Sequence, residues 1–245
     1  MRGPYGFELN ESCGSCKLRA NGFFCQLPAT ALKDFDAIES SSSYPEGAVL
    51  FLEKQSARGV FVLCEGRVKL SISSSAGRTL ILRIAKPGEI LGLVAVLSGH
   101  PYELTAETLH PSQVGFVGRD DFLRFVAQYP EAYPGIVKQL SSHYEDACEQ
   151  LRTVGLLASA TEKLGRLLLS WSAGTEGTKP GSRITLPLTH EEIAECIGSS
   201  RETVTRTFSD FRSRHLVALQ GSTLTIPNRA ALESFVGDER LASAD

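Results

Sequence analysis

Short runs of alternating apolar residues fill the chain from about Glu46 to Val117 and predict a set of β-strands. Each run has the length of a strand, is rich in Val, Ile, Leu and Phe, and ends at a turn that contains glycine. The turns are Glu65-Gly66, Ala76-Gly77 and Pro87-Gly88. Several strands of this length with such turns are typical of an antiparallel barrel or jelly roll.

After Pro134 the turn signals stop, and the apolar positions recur every three or four residues, which predicts a long helix. One narrow stripe of this helix is apolar and the rest of its surface is polar. The stripe consists of Ile136, Leu140, Tyr144, Ala147, Leu151 and Val154. Such a helix can pack on its own domain or pair with a second copy along a seam, and the stripe alone leaves both interpretations open.

A third zone follows residues 172–183, which are rich in Gly, Ser, Thr and Pro and predict a connector. Thr189 and Glu192 have the spacing of a capping box, so a helix is predicted to begin at about His190.

A second helix is predicted directly after the first. Gly198 ends the first helix, and Ser199 with Glu202 repeats the capping-box spacing after a short turn. Residues 216–226 then alternate around a central glycine, which predicts a small hairpin. Two helices joined by a short turn and followed by a hairpin are typical of a winged helix-turn-helix.

The start of this second helix carries side chains suited to reading DNA. They are Ser200, Arg201, Glu202, Thr205 and Arg206. The positions lie close together on the helix surface, so the side chains can point into one major groove. Arginine can donate two hydrogen bonds to guanine, and glutamate can accept one from cytosine. A simpler interpretation stays open, in which Glu202 only caps the helix and Arg206 only pairs with Glu202.

Composition and charge narrow the functional classes. The chain has 245 residues, of which 42% are hydrophobic and 22% charged, and its formal net charge is −3. This is ordinary for a globular protein, and the sequence contains neither a membrane-spanning apolar stretch nor a signal peptide. We therefore expect a cytoplasmic protein without membrane contact. The negative charge argues against coating nucleic acid over the whole surface but allows a local basic site.

Catalytic motifs are not evident. The five histidines are scattered along the chain, and neither a nucleophile elbow nor a phosphate-binding loop occurs. We therefore do not expect an enzyme.

Three cysteines, Cys13, Cys16 and Cys25, lie near the N-terminus. Because a reducing cytoplasm keeps thiols free, we expect them to bind a metal or to sense redox state rather than form permanent disulfides. The Cys-x-x-Cys spacing suits an iron–sulfur cluster, a structural zinc ion and dithiol chemistry. These possibilities stay open at this level, as does an arm without a ligand.

The order of these segments resembles the CRP/FNR superfamily of bacterial transcription regulators. The resemblance is carried by "KPGEILG" (residues 86–92), by the long helix and by "CIGSSRETVTRTF" (residues 196–208). It implies an α+β chain with an antiparallel β-roll of the jelly-roll, cyclic-nucleotide-binding type, a long dimerisation helix and a C-terminal winged helix-turn-helix. The expected divisions are a cysteine arm (1–30), the β-roll (31–130), the dimerisation helix (131–158) and the DNA-binding domain (159–245).

The resemblance also implies partners. These are double-stranded DNA, a second copy of the chain and RNA polymerase. The implied dimer seam consists of Ile136, Leu140, Tyr144, Leu151 and Val154, and two-fold geometry places the DNA half-sites one helical turn apart.

The recognition helix resembles two groups within the family. Residues 201–206 read Arg-Glu-Thr-Val-Thr-Arg, which matches the Arg-Glu-x-x-x-Arg pattern of the cAMP-receptor type. They also match the Glu-x-x-Ser-Arg pattern of the FNR type, with Thr in place of Ser. We therefore expect half-sites with a TGA-like core.

Cyclic AMP is not the expected signal. Where cAMP-binding members carry a glutamate for the ribose, this chain has Leu93, and where they carry an Arg-Ser pair it has residues 101–104, Pro-Tyr-Glu-Leu. A phosphate would meet Glu103 without a compensating arginine, which is repulsive. We expect the β-roll to serve as a scaffold.

The cysteine arm resembles that of FNR-type oxygen sensors, which implies a [4Fe–4S] cluster on Cys13, Cys16 and Cys25. The family's fourth cysteine is missing near residues 110–113, which leaves Cys64 of the β-roll, Cys148 of the long helix or an aspartate as candidates for the fourth ligand. We expect Cys64, because the resemblance places the family's fourth ligand in the β-roll. The resemblance thus implies a DNA-binding regulator that responds to oxygen or redox state. A thiol/disulfide switch, a structural zinc ion and another small effector remain alternatives.

Overall fold

The structure is a computed structural model that describes residue 16 and residues 26–173, 182–185, 188–220 and 223–242. The chain divides into two compact units, Met1–Asp146 and Ala147–Asp245, and the division falls inside a long helix. Within the described residues, no helix is both long and apolar enough to cross a membrane.

The first unit contains the predicted β-roll. Its strands are β1 (Ser40–Tyr44), β2 (Val49–Phe51), β3 (Gly59–Glu65), β4 (Val68–Ser73), β5 (Thr79–Ala85), β6 (Ile90–Leu91), β7 (Thr105–Thr108) and β8 (Ser112–Gly118). They form two antiparallel four-stranded sheets with the orders β1-β8-β3-β6 and β2-β7-β4-β5. This confirms the antiparallel roll predicted from the alternating runs.

Strand β1 was not predicted from the apolar pattern. Four of its five residues are serines, and it lies at a sheet edge, paired with β8 from Ser40 opposite Phe116 to Tyr44 opposite Ser112. A strand that buries little apolar surface shows no alternation, so only its pairing with β8 reveals it.

Helices cover one side of the roll. They are α1 (Ala29–Ile38), α2 (Leu93–Ser98), α3 (Arg119–Gln128) and the start of α4 (Tyr133–Leu156), with a 3-10 turn at Pro130–Ala132. An apolar cluster joins these helices to the sheet, and it includes Phe35, Val62, Phe122 and Ile136. Helix α4 confirms the long helix predicted after Pro134.

The predicted seam is wrong at Ile136. Its side chain is only 3% exposed and packs in the core of the first unit, so it is not available to a partner. The next residue, Val137, is 59% exposed and takes its place on the outer surface of α4. The apolar spacing identified a stripe, but the β-roll covers one edge of it.

Two polar attachments hold α4 to β6. The side-chain amide of Gln139 accepts a hydrogen bond from Ile90 N (3.0 Å) and donates one to Ile90 O (2.7 Å). One turn later, His143 Nε2 lies 3.5 Å from a carboxylate oxygen of Glu89, which also pairs with Arg83. These contacts fix the rotation of the first half of α4 against the roll.

The second unit contains the predicted winged helix-turn-helix. Its elements are α5 (Ala160–Ala173), β9 (Ser182–Thr185), α6 (His190–Ile197), α7 (Arg201–Ser213), β10 (Ala218–Gln220), β11 (Thr223–Ile226) and α8 (Arg229–Ala242). Strands β10 and β11 pair as the predicted hairpin, and β9 adds a third strand. The predicted connector is shorter than residues 172–183, because α5 and β9 take its two ends.

Candidate nucleic-acid interface

Helix α6 begins with the predicted capping box. Thr189 Oγ1 accepts a hydrogen bond from Glu192 N (3.2 Å), and the Glu192 carboxylate accepts one from Thr189 N (2.8 Å). Two backbone donors of the first turn are thus satisfied. The helix ends at Gly198, which adopts the left-handed conformation (φ +61°) that lets the chain turn directly towards α7.

The cap of α7 differs from the prediction. Ser200, not Ser199, is the N-cap, and its Oγ accepts a hydrogen bond from Thr203 N at 3.2 Å. The predicted capping box between Ser199 and Glu202 is therefore wrong, since the helix begins one residue later, at Arg201. This cap leaves the carboxylate of Glu202 outside a reciprocal box.

Helix α7 has one buried face and one exposed face. Its buried face, which packs in the second unit, carries Val204, Thr207, Phe208 and Phe211. The opposite face exposes Arg201, Glu202, Thr205, Arg206 and Arg212. The residues predicted to read DNA therefore lie together on the exposed face, near the N-terminus of the helix.

Three charged side chains, Arg201, Glu202 and Arg206, are predicted to read bases. Across the described residues, no ion pair within 4.0 Å involves Arg201, Glu202 or Arg206. The interpretation that Arg206 only pairs with Glu202 therefore finds no support. The pKa of Glu202 is lowered by a hydrogen bond from its own backbone N–H and by the Ser200 side chain, so the carboxylate stays ionised and able to accept hydrogen bonds.

Thr205 has a different environment, because its hydroxyl is already engaged. Thr205 Oγ1 donates a hydrogen bond to Arg201 O at 2.9 Å and lies 2.9 Å from His190 Nδ1. His190, the first residue of α6, stacks its ring on that of Phe208, with 5.0 Å between ring centroids and an angle of 10°. Burial lowers the pKa of His190, and the nearby Arg201 and Arg212 lower it further, so the imidazole is neutral at pH 7.

His190 was missed at the sequence level, where the histidines were treated as scattered. One signal was present, because His190 follows the capping Thr189 as the first helical residue of the helix-turn-helix. The first turn of that helix lies against the second helix, so a side chain there is placed to contact α7.

Arg214, which follows α7, makes contacts within the second unit. Arg214 Nε donates to both carboxylate oxygens of Asp210 (3.0 Å each), and its guanidinium lies 4.8 Å from the centroid of the Phe235 ring. Arg214 is thus part of the packing of the second unit.

The remaining predicted seam residues lie along α4 with unequal exposure. Tyr144 is 72% exposed and Leu151 68%, whereas Leu140 is half-buried against the core of the first unit and Val154 is half-buried. With Val137, the two exposed residues recur every seven positions along the helix. Such spacing is typical of an apolar seam between two helices.

Aromatic side chains fill the interior of the β-roll. Tyr102 stacks on Phe51 with 4.1 Å between ring centroids, and its hydroxyl donates to Gly59 O at 2.6 Å. A Cβ on Gly92 would lie 2.6 Å from the Tyr102 ring, so this glycine permits the close approach. Leu93, at the position expected for a ribose-binding glutamate, is buried in the apolar core.

The cysteine arm is only partly described. Cys13 and Cys25 lie outside the described residues, Cys16 is half-buried, and Cys64 packs partly against the core with Sγ 3.7 Å from Val62 O. Within the described ranges, no group of three or more His, Cys, Asp or Glu side chains is placed to hold a metal ion. The described residues therefore do not by themselves form the predicted cluster site.

Comparison with known proteins identifies two family domains. Residues 41–129 match the cyclic nucleotide-binding domain family, and residues 162–235 match the Crp-like helix-turn-helix domain family. The two matches coincide with the β-roll and with the helix-turn-helix built above.

The similarity to known proteins covers most of the chain. A "CRP-like cAMP-activated global transcriptional regulator" of Mycobacterium tuberculosis is 26% identical over 77% of this chain and 84% of its own. The "Nitrogen fixation regulation protein FixK" of Bradyrhizobium diazoefficiens is 25% identical over 91% of this chain and 93% of its own. The structure of FixK2 from Bradyrhizobium japonicum shares the fold, with a TM-score of 0.69 and 21% identity over 80% of this chain and 96% of that one.

Proposed function

Because the chain belongs to the CRP/FNR superfamily of transcription regulators, we propose that it works as a homodimer that reads a two-fold DNA site through α7 of each copy. One observation carries this proposal: the exposed face of α7 holds Arg201, Glu202 and Arg206 without an ion pair in the described residues. The superfamily is not enzymatic, in agreement with the lack of catalytic motifs. Its site of action would be the cytoplasm, and RNA polymerase would be the partner that couples DNA binding to transcription.

The chemistry of these side chains supports a TGA-like half-site. The guanidinium of Arg201 or Arg206 can donate two hydrogen bonds to guanine, and the carboxylate of Glu202 can accept from the amino group of cytosine in the same base pair. Each good bidentate contact discriminates against a wrong base by about 1–3 kcal/mol. A G·C pair at the centre of the half-site fits this donor and acceptor set.

Two-fold DNA recognition requires two recognition helices with fixed spacing. We propose that Val137, Tyr144 and Leu151 form the centre of the dimer seam, since these apolar side chains are exposed on α4 and recur every seven residues. Paired α4 helices would present the two α7 helices to successive major grooves on one side of the DNA.

The experiment for this proposal is a gel-shift titration. The probes are duplexes with two inverted TGA half-sites one helical turn apart, the same half-sites moved apart by half a turn, and a scrambled sequence of equal length. We expect tight binding only to the first duplex at a fixed salt concentration, because non-specific binding depends on salt rather than on sequence. Equal binding to all three duplexes would contradict the proposal.

The β-roll is proposed to be a scaffold rather than a cAMP receptor. Tyr102 and Phe51 fill its interior, and Leu93 offers no group for a ribose. The gel shift should therefore be the same with and without cAMP, although the relative from M. tuberculosis is named as cAMP-activated. Tighter binding of the palindrome with cAMP would overturn this part of the proposal.

The cysteine arm is proposed to carry the signal. Its spacing suits thiolate ligation of a [4Fe–4S] cluster by Cys13, Cys16 and Cys25, with Cys64 as the predicted fourth ligand. Such a cluster would supply sensitivity to oxygen or redox state. Zinc ligation and a disulfide switch are the alternatives.

An absorption spectrum with iron, sulfide and zinc assays of protein purified without oxygen separates these possibilities. We expect a broad visible band with bound iron and sulfide, both lost in Cys16→Ser and retained in the control Cys196→Ala, which changes a buried cysteine of the helix-turn-helix. Bound zinc without colour would contradict the cluster in favour of a structural site. Metal-free protein whose thiols are consumed by oxidant would contradict it in favour of a disulfide switch.

A further inference from the structure

The side chain of Thr205 stands among the charged groups of α7, but its hydroxyl is occupied within the protein. The hydroxyl proton is donated to Arg201 O at 2.9 Å. Since a hydroxyl has a single proton, His190 Nδ1, also 2.9 Å away, must donate to Thr205 Oγ1. The Thr205 hydroxyl therefore makes one hydrogen bond as a donor and one as an acceptor without DNA.

The position of His190 is itself held by packing. Its ring stacks on Phe208, which is buried on the inner face of α7. The neutral imidazole, favoured by burial and by the two nearby arginines, carries its one proton on Nδ1, as the bond to Thr205 requires. The ring thus holds its donor beside Thr205 Oγ1.

We propose that His190 is a positioning residue that turns the Thr205 hydroxyl towards the protein, so that the Thr205 methyl group selects a thymine in the half-site. This inference rests on the proposed function, in which α7 enters the major groove. It assigns Thr205 a different role from the hydrogen-bonding arginines and glutamate beside it.

Side-chain geometry explains why the methyl group is presented. Threonine in a helix divides between two rotamers, because its hydroxyl can bond to a carbonyl of the preceding turn in more than one way. The bonds to Arg201 O and His190 Nδ1 select one rotamer, in which the hydroxyl faces α6 and the helix backbone. Thr205 is exposed, so the other branch of its Cβ, the methyl group, is free to contact DNA.

In the major groove, a methyl group favours one base. Thymine carries a C5 methyl group there, and a threonine methyl makes an apolar contact with it. A TGA-like half-site contains a thymine on one strand and a second thymine opposite the adenine. Thr205 can therefore recognise one of these two thymines without forming a hydrogen bond.

Deoxyuridine substitution tests this role, because deoxyuridine lacks only the C5 methyl group of thymine. Each thymine of the inverted TGA duplex is replaced in turn, and binding by wild type, Thr205→Val and Thr205→Ser is measured. Valine keeps a methyl group at the same branch of Cβ, whereas serine keeps only the hydroxyl. We expect one thymine position at which deoxyuridine weakens wild type and Thr205→Val by about fourfold per half-site, the effect of burying one methyl group. Thr205→Ser should bind both duplexes equally.

The positioning role of His190 is tested by a pair of variants. His190→Phe keeps a ring to stack on Phe208 but removes the donor to Thr205. His190→Asn places an amide N–H on the atom that corresponds to Nδ1. We expect the ratio of thymine to deoxyuridine affinity to fall in His190→Phe and to recover in His190→Asn, which a purely structural role of the ring would not produce.

Three results overturn the inference while leaving the proposed function intact. Wild type could bind the TGA duplex specifically and yet tolerate every deoxyuridine. Thr205→Val could lose the thymine preference that Thr205→Ser retains, which would make the hydroxyl the reading group. An unchanged ratio in His190→Phe would remove the positioning role. Wild-type protein that does not distinguish the TGA duplex from a scrambled one contradicts the proposed function instead, so the two failures are separable.

Discussion

Arg201 and Glu202 begin α7 because Ser200 caps it. The cap satisfies Thr203 N, and the helix therefore starts with two charged side chains on its exposed face. Their grouping with Thr205 and Arg206 was evident from the sequence, since positions 201 and 205, and positions 202 and 206, are four residues apart and are therefore neighbours on the helix surface. The cap itself was predicted one residue too early, because Ser199 and Ser200 are both good N-cap residues and only the backbone conformation distinguishes them.

Substitution of Arg201 tests whether its side chain contacts a base. Arg201→Ala should reduce the preference for the TGA duplex over a scrambled duplex by about 5- to 150-fold per half-site, which corresponds to the loss of one bidentate base contact in each copy of the chain. Binding to the scrambled duplex should change little. Competition titration at one salt concentration measures both affinities, and Arg124→Ala, an exposed arginine of the first unit, is the control. Equal weakening on both duplexes would show that Arg201 contacts phosphate only.

Glu89, the residue before β6, adds a charged contact to the hydrogen bonds between Gln139 and Ile90, since it lies beside Arg83 and beside His143 of α4. Burial alone would raise the pKa of its carboxyl, but the neighbouring His143 and Arg83 outweigh that effect and lower the pKa to about 2. A pKa below its usual value of 4.5 means that the ionised carboxylate stabilises the folded state. This stabilisation is complete above pH 4.5 and is lost as the pH falls towards 2.

The pH dependence of unfolding tests this attachment. Wild-type protein should lose about 3 kcal/mol of unfolding free energy between pH 5 and pH 2 relative to Glu89→Gln, because glutamine has no proton to bind. Urea unfolding followed by circular dichroism at several pH values gives the difference. Glu131→Gln, an exposed carboxyl of the same unit, should follow wild type. Parallel pH profiles for wild type and Glu89→Gln would refute the role of Glu89.

The proposed function of the molecule as a whole depends on a second copy of the chain. Val137 and Ile136 are neighbours in sequence, yet the first is 59% exposed and the second 3%. The proposed seam contains only the exposed member of this pair. In the proposed dimer, adjacent positions on one helix thus serve different interfaces, one within the protomer and one between protomers.

Glutamate substitutions on α4 distinguish a loss of the dimer from a loss of the folded protomer. Val137→Glu and Leu151→Glu should each convert the dimer to a folded monomer and weaken binding to the two-half-site duplex, because a charge at an apolar seam is not compensated. Ile136→Glu should instead destabilise the first unit, since it buries a charge. Analytical ultracentrifugation and circular dichroism measure the two effects, with the exposed Ser142→Glu as control. Monomeric wild-type protein would contradict the proposed dimer.

The β-roll, the long helix and the helix-turn-helix could all be predicted from the amino-acid sequence. These elements follow from the period of the apolar positions, from turn residues and from helix-capping residues. All three signals depend on residues that are near one another in the chain. The sequence also predicted that Arg201, Glu202 and Arg206 lie on one helix. In the structure, all three side chains lie on the exposed face of that helix.

The tertiary structure was needed to show which neighbour each face contacts. It placed Ile136 in the core, stacked Tyr102 on Phe51 and brought His190 against Thr205. The partners in these contacts lie far apart in sequence, and a local pattern specifies that a side chain is apolar or polar without specifying what covers it. Burial and hydrogen-bond partners are set by the packing of whole elements, and for that reason the role proposed for Thr205 rests on its contacts in the fold rather than on its spacing in the sequence.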